Sequence, residues 1–373
     1  MTARPVSNPP NPFEAVRVEW QGHPDWDGPA PPARLEVVEE RCRSALSRND
    51  SPDVGFRYSV NPYRGCFHGC AYCYARPSHG YWGLGAGTDF ERTIIAKVNL
   101  PEVLDRELAR PGWSGEPIVL SGNTDGYQPL EARYGLTRRC LEVCRDHGNP
   151  VAIITKSALI RRDGPLLAEL ASRASVHVVV SIGGTDDAIG RALEPNAPAY
   201  SQRLNVLETL SAIPGVRTGV SLAPVIPGLT DDGIPKTLEA AAKAGASFAF
   251  MTMVRLPKEV RPVFQERLEA AFPGRARKVL RGIREARGGR LSDARFGARM
   301  TGEGERWRVT ERVFAQHLAR LGLDRSPGVP VDDEDGSAKE GPSAGFTAPR
   351  GRRSRPKAER QLPLFDAPPP ARR

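Results

Sequence analysis

Cys66-Phe67-His68-Gly69-Cys70-Ala71-Tyr72-Cys73 sets three cysteines in one short loop, spaced by three and then two residues. Thiolate sulfur is a soft donor, so several thiols on one loop suit an iron–sulfur cluster or zinc. Structural zinc sites and electron-transfer clusters close all four positions with protein ligands, and this loop supplies three. Three thiolates can grip three corners of an iron–sulfur cube and leave the fourth iron open to a small molecule. The competing metal reading is zinc with His68 or His79 as fourth ligand, although zinc sites draw their ligands from two separated segments. Three unmetallated core thiols beside Gly, His and Tyr would make a poor apolar plug.

Upstream of the loop, residues 56–60 alternate like a strand and deliver the chain into the cysteines. Downstream, apolar strand-like runs at 117–121, 151–155, 176–182, 216–222 and 247–254 take turns with helical patterns at 101–110, 137–147, 165–173, 201–213 and 231–244. Residues 93–98 read as an accessory strand, and 36–47 as a short helix. Continuous apolar strands separated by amphipathic helices predict a parallel sheet of βαβ units. Six main strands are too few for an eight-unit barrel, so the expected class is α/β, a partial (β/α)6 TIM-like barrel over residues 51–256. In such barrels the chemistry gathers where strands end and βα loops begin. Those ends read Ser121 to Glu131, Thr155-Lys156-Ser157, Ser181 to Gly184, Pro224 to Gly228, and Met253-Val254-Arg255. Small, polar and charged residues collect at one rim.

The cysteine spacing, with Tyr72 just before the last thiol, resembles the signature of the radical S-adenosylmethionine (SAM) superfamily. The wider runs Asn61-Pro62-Tyr63-Arg64-Gly65-Cys66 and Tyr74-Ala75-Arg76-Pro77-Ser78-His79-Gly80-Tyr81 are similar to a branch next to spore photoproduct lyase, the DNA repair photolyase-like proteins. The resemblance implies a [4Fe-4S] cluster on Cys66, Cys70 and Cys73, its open iron chelating the amino and carboxylate groups of SAM. An electron from a flavodoxin- or ferredoxin-type donor would then break the sulfonium bond and yield a 5′-deoxyadenosyl radical. It also implies that the motif after the second strand serves the amino group and that Tyr72 belongs to the cofactor site; Glu194-Pro195 and Arg203-Leu204 recur in the branch.

The residues themselves suggest how a zwitterionic nucleoside would be held. Thr124 and Asp125 offer acceptors to an ammonium group, and Ser181 or Glu194 suits ribose hydroxyls. Arg203 or Lys156 could meet the carboxylate. Backbone up to Gly228 could lie against adenine, since glycine permits close approach. Spore photoproduct lyase uses a dedicated cysteine as hydrogen donor, and relatives carry Cys or Pro where this chain has Gly126. Cys140 and Cys144 lie four apart on one helix face and read as core packing. Tyr127 is the substitute donor candidate.

The 373 residues carry a net charge of +9. Between Arg255 and Arg299 there are thirteen Arg or Lys against five Asp or Glu, an excess of eight that holds nearly all the surplus. Such a concentration attracts a polyanion or marks a solvated helical face. Residues 257–323 are expected as a basic helical extension, with helices at 260–271, 275–286 and 308–321 and a cap at 293–302 over the barrel's open side. Both ends read as disordered: a proline-rich lead-in over 1–50 and a tail over 324–373. Within the tail, Gln361-Leu362-Pro363-Leu364-Phe365 resembles the short peptide that repair proteins insert into the DNA sliding clamp.

Six unevenly placed cysteines do not form a disulfide framework, and residues 1–11 have no apolar core of a leader, so a reducing cytoplasm is the expected compartment. The expected function is a radical SAM enzyme acting on damaged or modified nucleic acid, of lyase or DNA repair type. The alternatives are a radical enzyme for a small molecule or protein side chain, and a non-catalytic, metal-stabilised DNA- or clamp-binding protein.

Overall fold

The computed structural model describes residues 7–13 and 35–325. Eleven strands follow in chain order: β1 (Glu36–Glu40), β2 (Leu46–Arg48), β3 (Tyr58–Val60), β4 (Tyr63–Arg64), β5 (Thr93–Lys97), β6 (Ile118–Leu120), β7 (Val151–Thr155), β8 (Val176–Ser181), β9 (Val216–Val225), β10 (Phe248–Met253) and β11 (Asp324–Arg325). The eight-stranded sheet runs β11-β10-β9-β8-β7-β6-β3-β2, and the six strands from β3 to β10 within it are all mutually parallel. This is the expected α/β partial barrel. All six residues of β8 are buried, the mark of a strand covered on both faces. Helices between the strands cover the sheet; Leu136–Asp146 turns Leu136, Cys140, Leu141 and Cys144 inward, so both of its cysteines are core residues.

Parallel register brings the strand ends level. Val60 pairs Leu120, Thr155 pairs Val180, Ser181 pairs Ser221, and Val225 pairs Met253. Each loop that leaves this edge starts from a fixed height, which is what gathers residues distant in sequence at one mouth.

The segment read as a helix at 36–47 is instead β1, a turn and β2. Val37 and Val38 pair in parallel with Ile94 and Ile95 of β5, forming a small sheet with β4. Asn99 clamps the turn, accepting from the Cys42 amide at 2.8 Å and donating to its carbonyl at 3.0 Å. The Glu107 carboxylate receives the amides of Ala45 and Leu46. The last third of the lead-in is therefore ordered, by partners more than fifty residues away.

The barrel's open side is crossed by residues 293–302. At one end Met300 accepts from the Met253 amide of β10 at 3.0 Å. At the other, Gly297 donates to Asp53 at 2.6 Å, and Arg299 pairs with Asp53 and Ser51 just past β2. This strap ties β10, one strand in from the β11 edge, to the segment past the edge strand β2, on the side where the cap is expected. The sliding-clamp-like residues 361–365 lie outside the described residues. No described helix is long and apolar enough to cross a membrane.

Candidate active site

The cysteine loop starts two residues beyond β4 and is fixed by its neighbours through its backbone. Gln128 bridges it, accepting from the Phe67 amide at 2.9 Å and donating to the Gly65 carbonyl at 3.2 Å. The Asn196 side chain donates to the Phe67 carbonyl and its amide to the His68 carbonyl. The Arg76 guanidinium, fully buried, donates to the carbonyls of Gly69 and Cys70 and pairs with Glu91. Gly69 has φ +66°, and a Cβ there would sit 2.9 Å from a Glu91 oxygen, so the loop needs glycine at this point. Pre-set backbone is the property a cluster-binding loop requires, because the ligands are then held apart before the cluster arrives.

Cys66 and Cys70 are buried and Cys73 is half-buried. Burial pushes the Cys66 thiol well above its ordinary value, with Asp125 and the other two cysteines adding to the shift. Burial likewise pushes Cys70 up to about 12, against the pull of Lys156. Thiols in such a place ionise when a metal takes the proton's position. Among the described residues no three His, Cys, Asp or Glu side chains are gathered for a single ion. Three soft thiolates on one loop are the donor set of an iron–sulfur cube. His79 turns Nε2 to the Thr93 carbonyl at 2.9 Å, and His68 faces Asp125 at 3.4 Å. Both histidines offered as fourth ligands are thus engaged elsewhere.

The loop's aromatic residue is locked from beneath. Tyr72 donates its hydroxyl to Glu194, and Glu194 pairs with Arg203, all three buried. Arg203 also donates to the carbonyls of Pro198 at 2.8 Å and Ser181 at 2.9 Å. Burial opposes the Glu194 charge, but Arg203 and Lys156 outweigh it and hold its carboxyl below the usual range. Arg203 and Glu194 therefore satisfy one another, and neither has a free face for a ligand.

Asp125 is equally committed. One oxygen takes the Tyr127 amide at 2.9 Å and the Thr155 hydroxyl at 2.7 Å; the other takes the Lys156 amide at 2.7 Å and faces His68. A carboxylate has about four acceptor positions; three here take hydrogen bonds, and His68 stands at the fourth. Thr124, beside it, is buried, and its hydroxyl has no hydrogen bond among the described residues. The Lys156 ammonium is the contrasting case. It lies 5.9 Å from the centre of the Tyr72 ring and has no hydrogen bond or ion pair among the described residues. Burial opposes its charge, but Cys70 when ionised, together with Glu194, more than compensates, and its pKa is raised. The Ser181 hydroxyl is also uncommitted.

Gly228 has φ +79° and sits between Asp231, which accepts from its amide at 2.7 Å, and Arg275, which donates to its carbonyl at 3.3 Å. Tyr127 is not at the mouth. Its ring is fully buried in the main core and its hydroxyl, with no hydrogen-bond partner of good geometry, faces Asp163. Its role as hydrogen donor is corrected on that ground: Gly126 and Tyr127 turn inward when Asp125 binds the Tyr127 amide. Sequence reasoning missed Gln128, Arg76 and Asn196 as loop holders; their only signal was membership of polar runs near the cysteines. A cavity of about 530 Å³ opens beside the loop, lined by His68, Ser157, Leu159, Pro195, Asn196 and Pro198.

Residues 60–241 match the Radical SAM superfamily. Over 253 residues the chain is 39% identical to an uncharacterized protein of Mycobacterium tuberculosis, spanning 67% of this chain and 72% of that one. The chain belongs to the radical SAM superfamily. An uncharacterized protein of Methanocaldococcus jannaschii is 28% identical over 204 residues, 53% of this chain and 71% of that one. Among solved structures, spore photoproduct lyase complexed with dinucleoside spore photoproduct superposes with a TM-score of 0.55 at 15% identity, covering 78% of this chain and 81% of that one. That likeness is one of fold. The cofactors of a radical SAM enzyme are a [4Fe-4S] cluster and SAM, and the donors at this mouth fit both.

Proposed function

We propose that this radical SAM enzyme acts on damaged or modified nucleic acid, in a repair or lyase type of reaction. Cys66, Cys70 and Cys73 would hold three irons of the cluster. Lys156 would meet the methionine carboxylate, since it is the uncommitted cation beside the loop while Arg203 is consumed by Glu194 and two carbonyls. Thr124, with its free hydroxyl, would take the amino group, leaving Asp125 to fix the positions of Thr155 and Lys156. Ser181 would meet the ribose, and the backbone around Gly228 would lie along the adenine. When bound and reduced by an external donor, the cofactor pair supplies hydrogen-atom abstraction through cleavage of the sulfonium C–S bond. The chain's part is to hold, orient and shield.

The observation that carries the nucleic-acid reading is the position of the basic helix Pro273–Glu285. Arg277, Lys278, Arg281 and Arg284 are exposed, and of these only Arg281 has an ion pair among the described residues, a loose one with Glu285 at 3.7 Å. The same helix packs on the Gly228 loop, where a Cβ on Gly228 would lie 3.8 Å from Lys278. The cationic face thus adjoins the rim that carries the cysteine loop. Spore photoproduct lyase, of the same fold, was solved with a dinucleoside lesion bound.

The test is binding and turnover on one anaerobically reconstituted preparation. Reversing Arg277, Lys278, Arg281 and Arg284 to Glu should cut affinity for oligonucleotide DNA at least a hundredfold and flatten its salt dependence by roughly three to four in log–log slope. Formation of 5′-deoxyadenosine without substrate should survive. Unchanged DNA affinity sinks the nucleic-acid reading; absence of 5′-deoxyadenosine from the wild type sinks the enzymatic one.

A further inference from the structure

Arg255 follows β10 by two residues and lies over the ring of Tyr74, the residue after Cys73, at 5.8 Å from the ring centre. Tyr74 is half exposed and donates its hydroxyl to the Gly122 carbonyl beyond β6. A guanidinium has five N–H donors. The polar contact of Arg255 among the described residues is with the Met300 sulfur, 3.6 Å from Nη1, and its buried Nε has no partner. Sulfur is a weak acceptor. Among the described residues no oxygen receives this cation.

Its neighbours, by contrast, do find oxygen acceptors, although the Arg287 Nε is also unpartnered. Arg287 donates to the carbonyls of Val254, Ala298 and Arg299 at 2.7–3.1 Å. Arg299 holds Asp53 and Ser51. Asp53 also takes the Gly297 amide, and Asp293 is taken by Arg295, so neither nearby carboxylate is left for Arg255. Burial, and Arg299 after it, depress the Arg255 pKa, the signature of a cation placed without its counter-ion. A half-buried charge with no oxygen partner costs stability until a ligand supplies one.

We propose that Arg255 receives a phosphodiester of the substrate strand, with the half-exposed face of Tyr74 as the platform for the adjoining base. The missing partner must be anionic and rich in oxygen, to meet several guanidinium donors at once. An aromatic face beside the cation fits a nucleotide, whose phosphate and base lie side by side. A phosphate here would stand at the barrel mouth next to the cysteine loop, while the Pro273–Glu285 face would hold the strand further out. This rests on the nucleic-acid reading and names the group nearest the reacting centre.

The test compares full-length wild type with Arg255→Met and Arg255→Lys, by fluorescence anisotropy on a labelled single-stranded oligonucleotide over a salt series, and by thermal melting. Arg255→Met should bind roughly tenfold more weakly, with a log–log salt slope lower by about one. It should melt no lower than wild type, because an unpaired cation is removed, and Arg255→Lys should recover part of the affinity. Neutral methylphosphonates walked along the strand should reveal one position that weakens the wild type and leaves Arg255→Met unaffected. Equal binding by wild type and Arg255→Met overturns this inference and leaves the nucleic-acid reading standing. A lower melting temperature with unchanged binding also overturns it, as packing. No salt-dependent binding by the wild type removes both.

Discussion

Two sets of arginines surround the mouth of this barrel and are used in opposite ways. Beneath the cysteine loop, Arg76 and Arg203 are buried and saturated: each pairs a buried carboxylate and donates to backbone carbonyls. At the outer mouth, Arg255 meets a ring face and a sulfur, and Arg277, Lys278 and Arg284 meet solvent. Both sets contribute to the same positive charge. The saturated ones are architecture, since their removal leaves orphaned carboxylates; the unsatisfied ones have their binding capacity intact. Net charge alone cannot separate the two, and a structure can.

The comparison breaks most readily at Arg203. Arg203→Ala should leave Glu194 buried and unpaired, a loss of about 3–5 kcal/mol, with the Tyr72 end of the cysteine loop released. Denaturant unfolding of the purified chain would read it. Loss of no more than a surface substitution would show that the Glu194 pair is not what anchors the loop. By the same logic, reversing the exposed Arg277, Lys278, Arg281 and Arg284 should leave the unfolding midpoint nearly unchanged.

A smaller effect is expected at Gly69. Gly69→Ala must hold φ +66° with a methyl 2.9 Å from Glu91, a strain of about 1–3 kcal/mol. Its sharper readout is iron content after anaerobic reconstitution, which should fall before global stability does, because the strain falls between Cys66 and Cys70. Full iron retention would mean that the loop reshapes freely and that its preset backbone is unimportant.

How much of this was legible beforehand follows from the range of each interaction. The six parallel strands stand where their apolar or alternating runs put them, because burial writes itself into local composition. The β1 segment was misread as helix because its pairing with β5 is set by residues 93–97, far along the chain. At the site, polar residues at strand ends could be read as a group, yet not which were free. Asp125 is exhausted by Thr155 and the Lys156 amide thirty residues on, and Glu194 by Tyr72, 122 positions earlier. Tyr127 illustrates the same limit: two residues after Asp125, inside the strand-end run, the chain turns into the core.

The finest test separates charge from packing within the saturated set. The Glu194 carboxyl lies below its ordinary value of 4.5, held there by Arg203 and Lys156 and by the Tyr72 hydroxyl, against the opposing push of burial. A carboxyl with a depressed folded pKa adds stability that is complete above the unfolded value and fades as pH falls through the folded one. Glu194→Gln keeps the shape and cannot ionise. The melting-temperature gap between wild type and Glu194→Gln should therefore be constant from pH 7 down to about 5 and narrow as pH drops below about 4.5. A gap that stays level through that window would mean that Tyr72 and Arg203 are held by shape and neutral hydrogen bonds, and that the ionic half of the comparison between saturated and unsatisfied arginines is wrong.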